Sequence, residues 1–349
     1  MEKQFRYDFQ TAVVETDKGL VHGYEYDGMS IFKGIPYARS KRFHDPEPVE
    51  PWDGLREATG YGYVCPLLDE ERLDSSLGAP HRIGVQNENC QNLNVWTPAC
   101  DDKKRPVMVW LHGGAFSGGS SIEQVAYEGE NLCKHGQIVF VSINHRLNVL
   151  GYCDLSEFGE EYKNSGNAGT SDMVAALQWI HRNIAAFGGD PGNVTIFGQS
   201  GGGMKVTALL QTPAADGLYH KGIIMSGVAD GIMFCDSTDS RPLVDGMLKE
   251  LGLTADEIEK LETLPYEALA EAYKKVSPAI KAAGGYVGCA PTPNDFYLGE
   301  PRSVGFTDHA KTIPVIVGTV MAEFGFGPGV PHKYDLTEEE QMAMLREEY

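Results

Sequence analysis

The chain has 349 residues, 42% of them apolar and 22% charged, with 19 prolines. This is the composition of a folded protein, and it excludes intrinsic disorder. Lys and Arg total 29 against 49 Asp and Glu, a formal charge of −20. A field of that sign favours solubility and argues against nucleic acid or anionic membrane as a partner.

In chain order, residues 12–35 alternate short β-rich runs with glycine-containing turns, which predicts a small antiparallel sheet at the N-terminus. Residues 39–90 are irregular and rich in Pro and charge. From Leu93 onward, apolar strand-like runs recur at 93–96, 106–112, 138–144, 193–198, 221–227 and 312–318. Near-continuous apolar strands alternating with helices predict an α/β fold with a mostly parallel central sheet flanked by helices. The clearest helix starts at Ser171 as N-cap, carries Val174, Leu177, Ile180 and Ile184 on one face, and ends at Gly188 and Gly189. A helical stretch between Ser240 and Lys281 places Leu243, Met247, Leu248 and Leu251 on one face. It reads as a helical insertion, at about residues 236–300, in a single domain spanning 1–349.

Cysteines at 65, 90, 100, 133, 153, 235 and 289 form neither a disulfide scaffold nor a zinc-like CxxC or CxxH set, so a structural metal is not expected. No apolar run approaches the ~18 residues needed to span a bilayer. The opening MEKQFRYDFQ lacks the apolar core of a signal peptide, so the expected location is cytoplasmic, with a processed secreted form as the alternative.

Two segments carry chemistry. In NVTIFGQSGGGMKVTALL a strand runs through Gly198-Gln199-Ser200-Gly201-Gly202 into a helix. A turn of this kind either is merely a glycine-rich connection or holds Ser200 as a nucleophile in strained backbone at the tip of a sheet. In WLHGGAFSGGSS, the residues His112-Gly113-Gly114-Ala115 follow a buried strand and leave main-chain N–H groups uncovered. Such groups can donate to an oxyanion; the competing reading, a phosphate loop, lacks the Lys-Ser/Thr ending.

Together with FKGIPYA (32–38), NENCQNLNVWTP (87–98), NHRLNVLGY (144–152), NAGTSDMVAALQWIHRNIAAFGGDPGNVTIFGQSGGG (167–203), LYHKGIIMSG (218–227) and PVIVGTVMAEFGF (314–326), these segments resemble the type B carboxylesterases of the α/β-hydrolase class, in the family's order and over essentially the whole chain. The resemblance implies Ser200 as nucleophile, Glu323 as triad acid, the N–H groups of Gly114, Ala115 and Gly201 as oxyanion hole, and Ser226 as a buried serine behind the triad. It implies Arg146 and Asp172 as charged residues bracing the core, and sets Cys65 and Cys90 where secreted members form a disulfide. In a reducing compartment free thiols are expected there. The implied function is hydrolysis of small carboxylic esters through an acyl-enzyme on Ser200, a reaction that requires no metal or organic cofactor; the alternative is a catalytically inactive cholinesterase-like binding protein.

Three departures stand out. Gln199 and Gly201 occupy positions where the family usually has Glu and Ala. In addition, the family's chain order requires a histidine after the acid, and His332, nine residues after Glu323, is the sole candidate in the sequence. That spacing is shorter than the ~10–12 residues of a strand-to-strand crossover. The expectation is therefore that the C-terminal strand and helices are missing, with the histidine supplied beyond Tyr349 by a C-terminal fragment or second chain.

Overall fold

The structure, a computed structural model, describes residues 3–68, 82, 84–227, 238–321, 323 and 336–348. It divides into two units, Met1–Val317 and Gly318–Tyr349.

In the first unit, nine strands form one sheet in the order β1-β4-β5-β7-β9-β8-β10-β11-β12. These are β1 Phe5–Arg6, β4 Tyr24–Tyr26, β5 Met29–Pro36, β7 Asn92–Thr97, β8 Arg105–Leu111, β9 Val139–Ile143, β10 Gly189–Gln199, β11 Lys221–Met225 and β12 Val315–Gly318. A smaller sheet holds β2 Val13–Thr16, β3 Gly19–His22 and β6 Leu55–Glu57.

The α/β class stands, but the large sheet is mixed. From β9 through β8 and β10 to β11 all pairs are parallel. From β1 through β4, β5 and β7 to β9 all are antiparallel. The run at 93–96 therefore lies outside the parallel half, since unbroken apolarity reports burial on both faces and not strand direction. Direction follows from the connection: β4 and β5 are joined by Asp27-Gly28 with φ of 52° and 76°, the two-residue turn whose twist suits an antiparallel hairpin. The small sheet is mixed too, because β6 joins β3 in parallel.

The helices are α1 Glu130–Gly136, α2 Asn148–Tyr152, α3 Ala168–Asn183, α4 Gly201–Leu210, α5 Arg241–Glu250, α6 Tyr266–Ala282 and α7 Pro301–Val304. Helix α3 begins at Ala168, one turn before the expected Ser171 cap, because a 3-10 turn at Ser165–Asn167 leads into it. Ser171 and Asp172 are consequently buried inside the helix, and Leu177 and Ile180 pack with Val107, Val109, Val139 and Val141 in the main core. Leu243, Met247 and Leu248 of α5 form a second apolar cluster with Leu269 and Tyr273 of α6 and with Phe43, Cys65, Cys90 and Leu147. At the sheet edge β12 is shorter than the run at 312–318 suggested, and Ile316 is 66% exposed.

In the second unit, α8 Glu338–Glu348 follows Thr337, whose N–H donates to Glu340 Oε2 at 2.8 Å while its Oγ1 accepts the Glu340 N–H at 3.3 Å. This is the reciprocal capping box. No described helix is long and apolar enough to cross a membrane.

Candidate active site at the turn after β10

Strand β10 delivers the chain to Ser200, which has φ 55° and ψ −126°, and α4 begins at the next residue. A serine at positive φ costs about 1–3 kcal/mol and persists only where its surroundings over-determine it. Here the Ser200 N–H donates to Met225 O at 2.9 Å, and the Ser200 carbonyl accepts N–H groups of Gly203 at 2.8 Å and Met204 at 3.2 Å. Ser226, with φ 48°, stands next to Met225 at the end of β11. A Cβ at Gly227 would fall 2.9 Å from the Ser200 carbonyl oxygen, so this second turn packs directly against the first.

The loop after β8 meets the same point. A Cβ on Gly201 would lie 2.1 Å from the backbone nitrogen of Ala115, so loop and helix N-terminus approach more closely than any side chain permits. Gly201 is thus required by this packing. In a trans peptide the carbonyl and the following N–H point in opposite directions. The Gly113 carbonyl accepts from His112 Nδ1 at 2.8 Å, and the Gly114 carbonyl accepts the Gly118 N–H at 2.9 Å. Both carbonyls are tied to the protein side, so the N–H groups of Gly114 and Ala115 face the other way. Among the described residues these two N–H groups and that of Gly201 donate to no backbone carbonyl.

Behind the loop lies a buried basic cluster. Lys205, on α4 and fully buried, donates from Nζ to the His112 carbonyl at 2.8 Å. His112 stacks on His145 with ring centroids 5.2 Å apart. Burial, reinforced by the Lys205 charge, holds both imidazoles well below the ordinary histidine pKa, so both are neutral and poor bases. Burial likewise brings Lys205 down to about 7, against the pull of Glu123. His112 therefore supports the loop.

The remaining expected residues fall as follows. Arg146 and Asp172 are fully buried and doubly bonded, at 2.9 Å from Nε and 2.7 Å from Nη2. Cys65 and Cys90 are buried free thiols in contact with each other. Glu323 belongs to the second unit, where its Oε1 accepts the Val320 N–H at 2.9 Å. His332 lies outside the described residues. Several described histidines are engaged elsewhere: His22 with Glu57, His44 with Glu262, His220 with the Val194 N–H and His309 with Asp216. No group of three or more His, Cys, Asp or Glu capable of holding a metal occurs among the described residues.

The sequence profile of the carboxylesterase family matches residues 10–347. The chain belongs to the carboxylesterase family. It is 38% identical to the para-nitrobenzyl esterase of Bacillus subtilis (strain 168) over 316 residues, which cover 89% of this chain and 63% of that protein. It is 40% identical to a liver carboxylesterase of Sus scrofa over 235 residues, covering 62% of this chain and 40% of that one. Among solved structures, an esterase of Clostridium hathewayi that hydrolyses aliphatic aromatic polyesters superposes with a TM-score of 0.90 at 57% identity, over 99% of this chain and 69% of that one. A carboxylesterase of Geobacillus stearothermophilus gives 0.79 at 36% identity, over 97% and 67%. The chain thus spans less than two thirds of the length of the Bacillus relative. The family match, running to residue 347, lends no support to a separate partner completing the fold.

Within this carboxylesterase-family chain, sequence reasoning missed Lys205 and His145. A signal was present for the lysine: it shares the buried face of α4 with Ala208 and Leu209, at helical spacing, so an apolar face carried one cation.

Proposed function

We propose that the chain acts as a serine carboxylesterase. Ser200 Oγ attacks the ester carbonyl carbon while a histidine takes the hydroxyl proton, and the carbonyl oxygen becomes an oxyanion received by the N–H groups of Gly114, Ala115 and Gly201. The intermediate collapses by releasing the alcohol, which takes the proton from the histidinium. Water, deprotonated by the same histidine, then cleaves the acyl-enzyme to the free acid. Glu323 orients the histidine, and Ser226 supports the turn from behind. The observation that carries this reading is the strained Ser200 at a sheet tip, beside a loop and helix start whose Gly114, Ala115 and Gly201 N–H groups have no backbone acceptor among the described residues. Retention of Ser200, the donor loop and Glu323 runs against an inactive binding protein.

The substrates are small carboxylic esters, aryl esters among them, a class suggested by the para-nitrobenzyl and polyester relatives. The free thiols of Cys65 and Cys90 suit a cytoplasmic location. The helices α5 and α6 are read as an insertion flanking the site.

Hydrolysis of p-nitrophenyl butyrate and labelling of Ser200 by a fluorophosphonate are expected, both lost in Ser200→Ala with unchanged circular dichroism. Wild-type turnover in that variant would sink the assignment. His332→Ala assigns the base: lost turnover in a folded variant places it at His332, and retained turnover places it at another histidine.

A further inference from the structure

We propose that Lys205 is a positioning residue for this reaction: reaching from the helix that follows the nucleophile, it holds the carbonyl of His112, the residue whose imidazole in turn fixes the peptide plane that presents the Gly114 N–H. The inference rests on the esterase reading above.

Three successive carbonyls of the loop are fastened on the side away from the donors. Lys205 Nζ holds that of His112 at 2.8 Å, His112 Nδ1 holds that of Gly113 at 2.8 Å, and the Gly118 N–H holds that of Gly114 at 2.9 Å. The Gly113 carbonyl can only accept, so the His112 proton sits on Nδ1, and the ring, 3.5 Å from Nζ, cannot accept from the ammonium there. Lys205 is the one member of the chain of contacts that comes from α4, the element that starts at Ser200. It therefore ties nucleophile and donors to a common frame. Two of the three bonds run through His112, so releasing its carbonyl frees the imidazole that holds the next peptide.

Stability does not explain a lysine here. A buried ammonium bonded to one carbonyl, with the Glu123 charge offsetting only part of its desolvation, costs more than an apolar side chain of the same length. A methionine would fill much the same space without the charge. Such a residue is retained for the geometry that it imposes.

The test compares wild type with Lys205→Met, using p-nitrophenyl butyrate turnover and two inhibitors. An aryl trifluoromethyl ketone adds to Ser200 and sets a negative oxygen on the donors; benzyl alcohol occupies the site without one. Lys205→Met is expected to lower kcat by about 10- to 100-fold, with KM altered less than about threefold, since a displaced donor loses part of the ~10²–10³-fold that a deleted one costs. The trifluoromethyl ketone should weaken in the same proportion as kcat, while benzyl alcohol binding and the melting temperature do not fall. A purely structural role would instead lower the melting temperature or weaken both inhibitors alike, and either pattern overturns the proposal, as does unchanged kcat in a folded variant. If the methionine variant does not fold, Lys205→Gln, which keeps an N–H donor on a shorter side chain, carries the same comparison with a smaller loss. Wild-type protein that neither hydrolyses the ester nor labels at Ser200 would fail the esterase reading itself; activity and labelling with an unaltered Lys205 variant would fail this inference alone.

Discussion

Two buried cations lie close to the ends of adjacent strands, and they are treated in opposite ways. Arg146, just past β9, has the Asp172 carboxylate across it in two bonds and the carbonyls of Lys41, His44 and Ala168 around its remaining N–H groups. Its backbone N–H also reaches Asp172, and Gln91 completes the carboxylate at 3.1 Å. Lys205, behind the loop that ends β8, has one carbonyl as hydrogen-bond partner, two imidazoles whose neutrality it helps to enforce, and the Glu123 carboxylate as an opposite charge that only partly offsets its burial. The first is a closed network, satisfied on both sides, as a brace should be. The second is under-satisfied: burial brings its pKa to about 7, whereas burial lowers that of Arg146 too but is outweighed by the Asp172 charge and hydrogen bonds, so that it ends raised. A fold keeps an ill-paired charge where geometry matters more than stability.

The largest effect should come from breaking the brace. Asp172→Ala leaves Arg146 charged, buried and unpaired, and a loss of about 3–5 kcal/mol in urea unfolding is expected. A loss below about 1 kcal/mol would show that the carbonyls alone can hold the guanidinium.

Lys205→Met should move stability the other way, by about 1–4 kcal/mol at and below neutral pH. The sign follows from the lowered pKa: between about 7 and the ordinary lysine value of 10.5, the unfolded chain binds a proton that the folded one does not. Wild-type stability contributed by this group therefore rises with pH through that window. The advantage of the methionine variant should accordingly shrink between urea titrations at about pH 6.5 and about pH 9.5. An advantage independent of pH would mean that packing, not charge, separates the two cations.

Smaller again is the expected cost of crowding the loop that Lys205 holds. Gly201→Ala forces the new Cβ against the Ala115 nitrogen. It should cost about 1–3 kcal/mol of stability through overpacking and reduce kcat more than KM rises. Unchanged kcat would show that the loop can retreat without losing its donors.

The smallest effect calibrates the comparison. Arg241 and Asp245 pair at 3.1 Å on the solvent-facing side of α5, with side chains 41% and 51% exposed. Asp245→Ala should change stability by no more than about 0.5 kcal/mol. A larger change would imply that solvent screens this surface less than the contrast assumes.

Much of the site was legible in the residues because small side chains and strand-turn-helix order are local properties. Gly198 through Gly202 and His112 through Ala115 announced close backbone approach before any contact was visible. The helix over 168–183 was legible in its period but not in its start. Ser171 and Asp172 have the chemistry of a cap, and a buried arginine recruited the aspartate into the helix interior instead. Gly201 in place of the family's alanine read as a departure from the motif; in the fold it is the residue that lets Ala115 come near.

The class of fold, the turn at Ser200 and the glycine loop after β8 were legible along the chain, because apolar period, glycine placement and motif order act over a few residues. The reversal of the sheet from antiparallel to parallel at β9, the pairing of Arg146 with Asp172 and the inward turn of Lys205 onto the His112 carbonyl came instead from the assembled fold. Those outcomes depend on which groups far apart in sequence are buried together. The desolvation of a charge, and the partner that offsets it, are properties of that assembled interior and of no local stretch of chain.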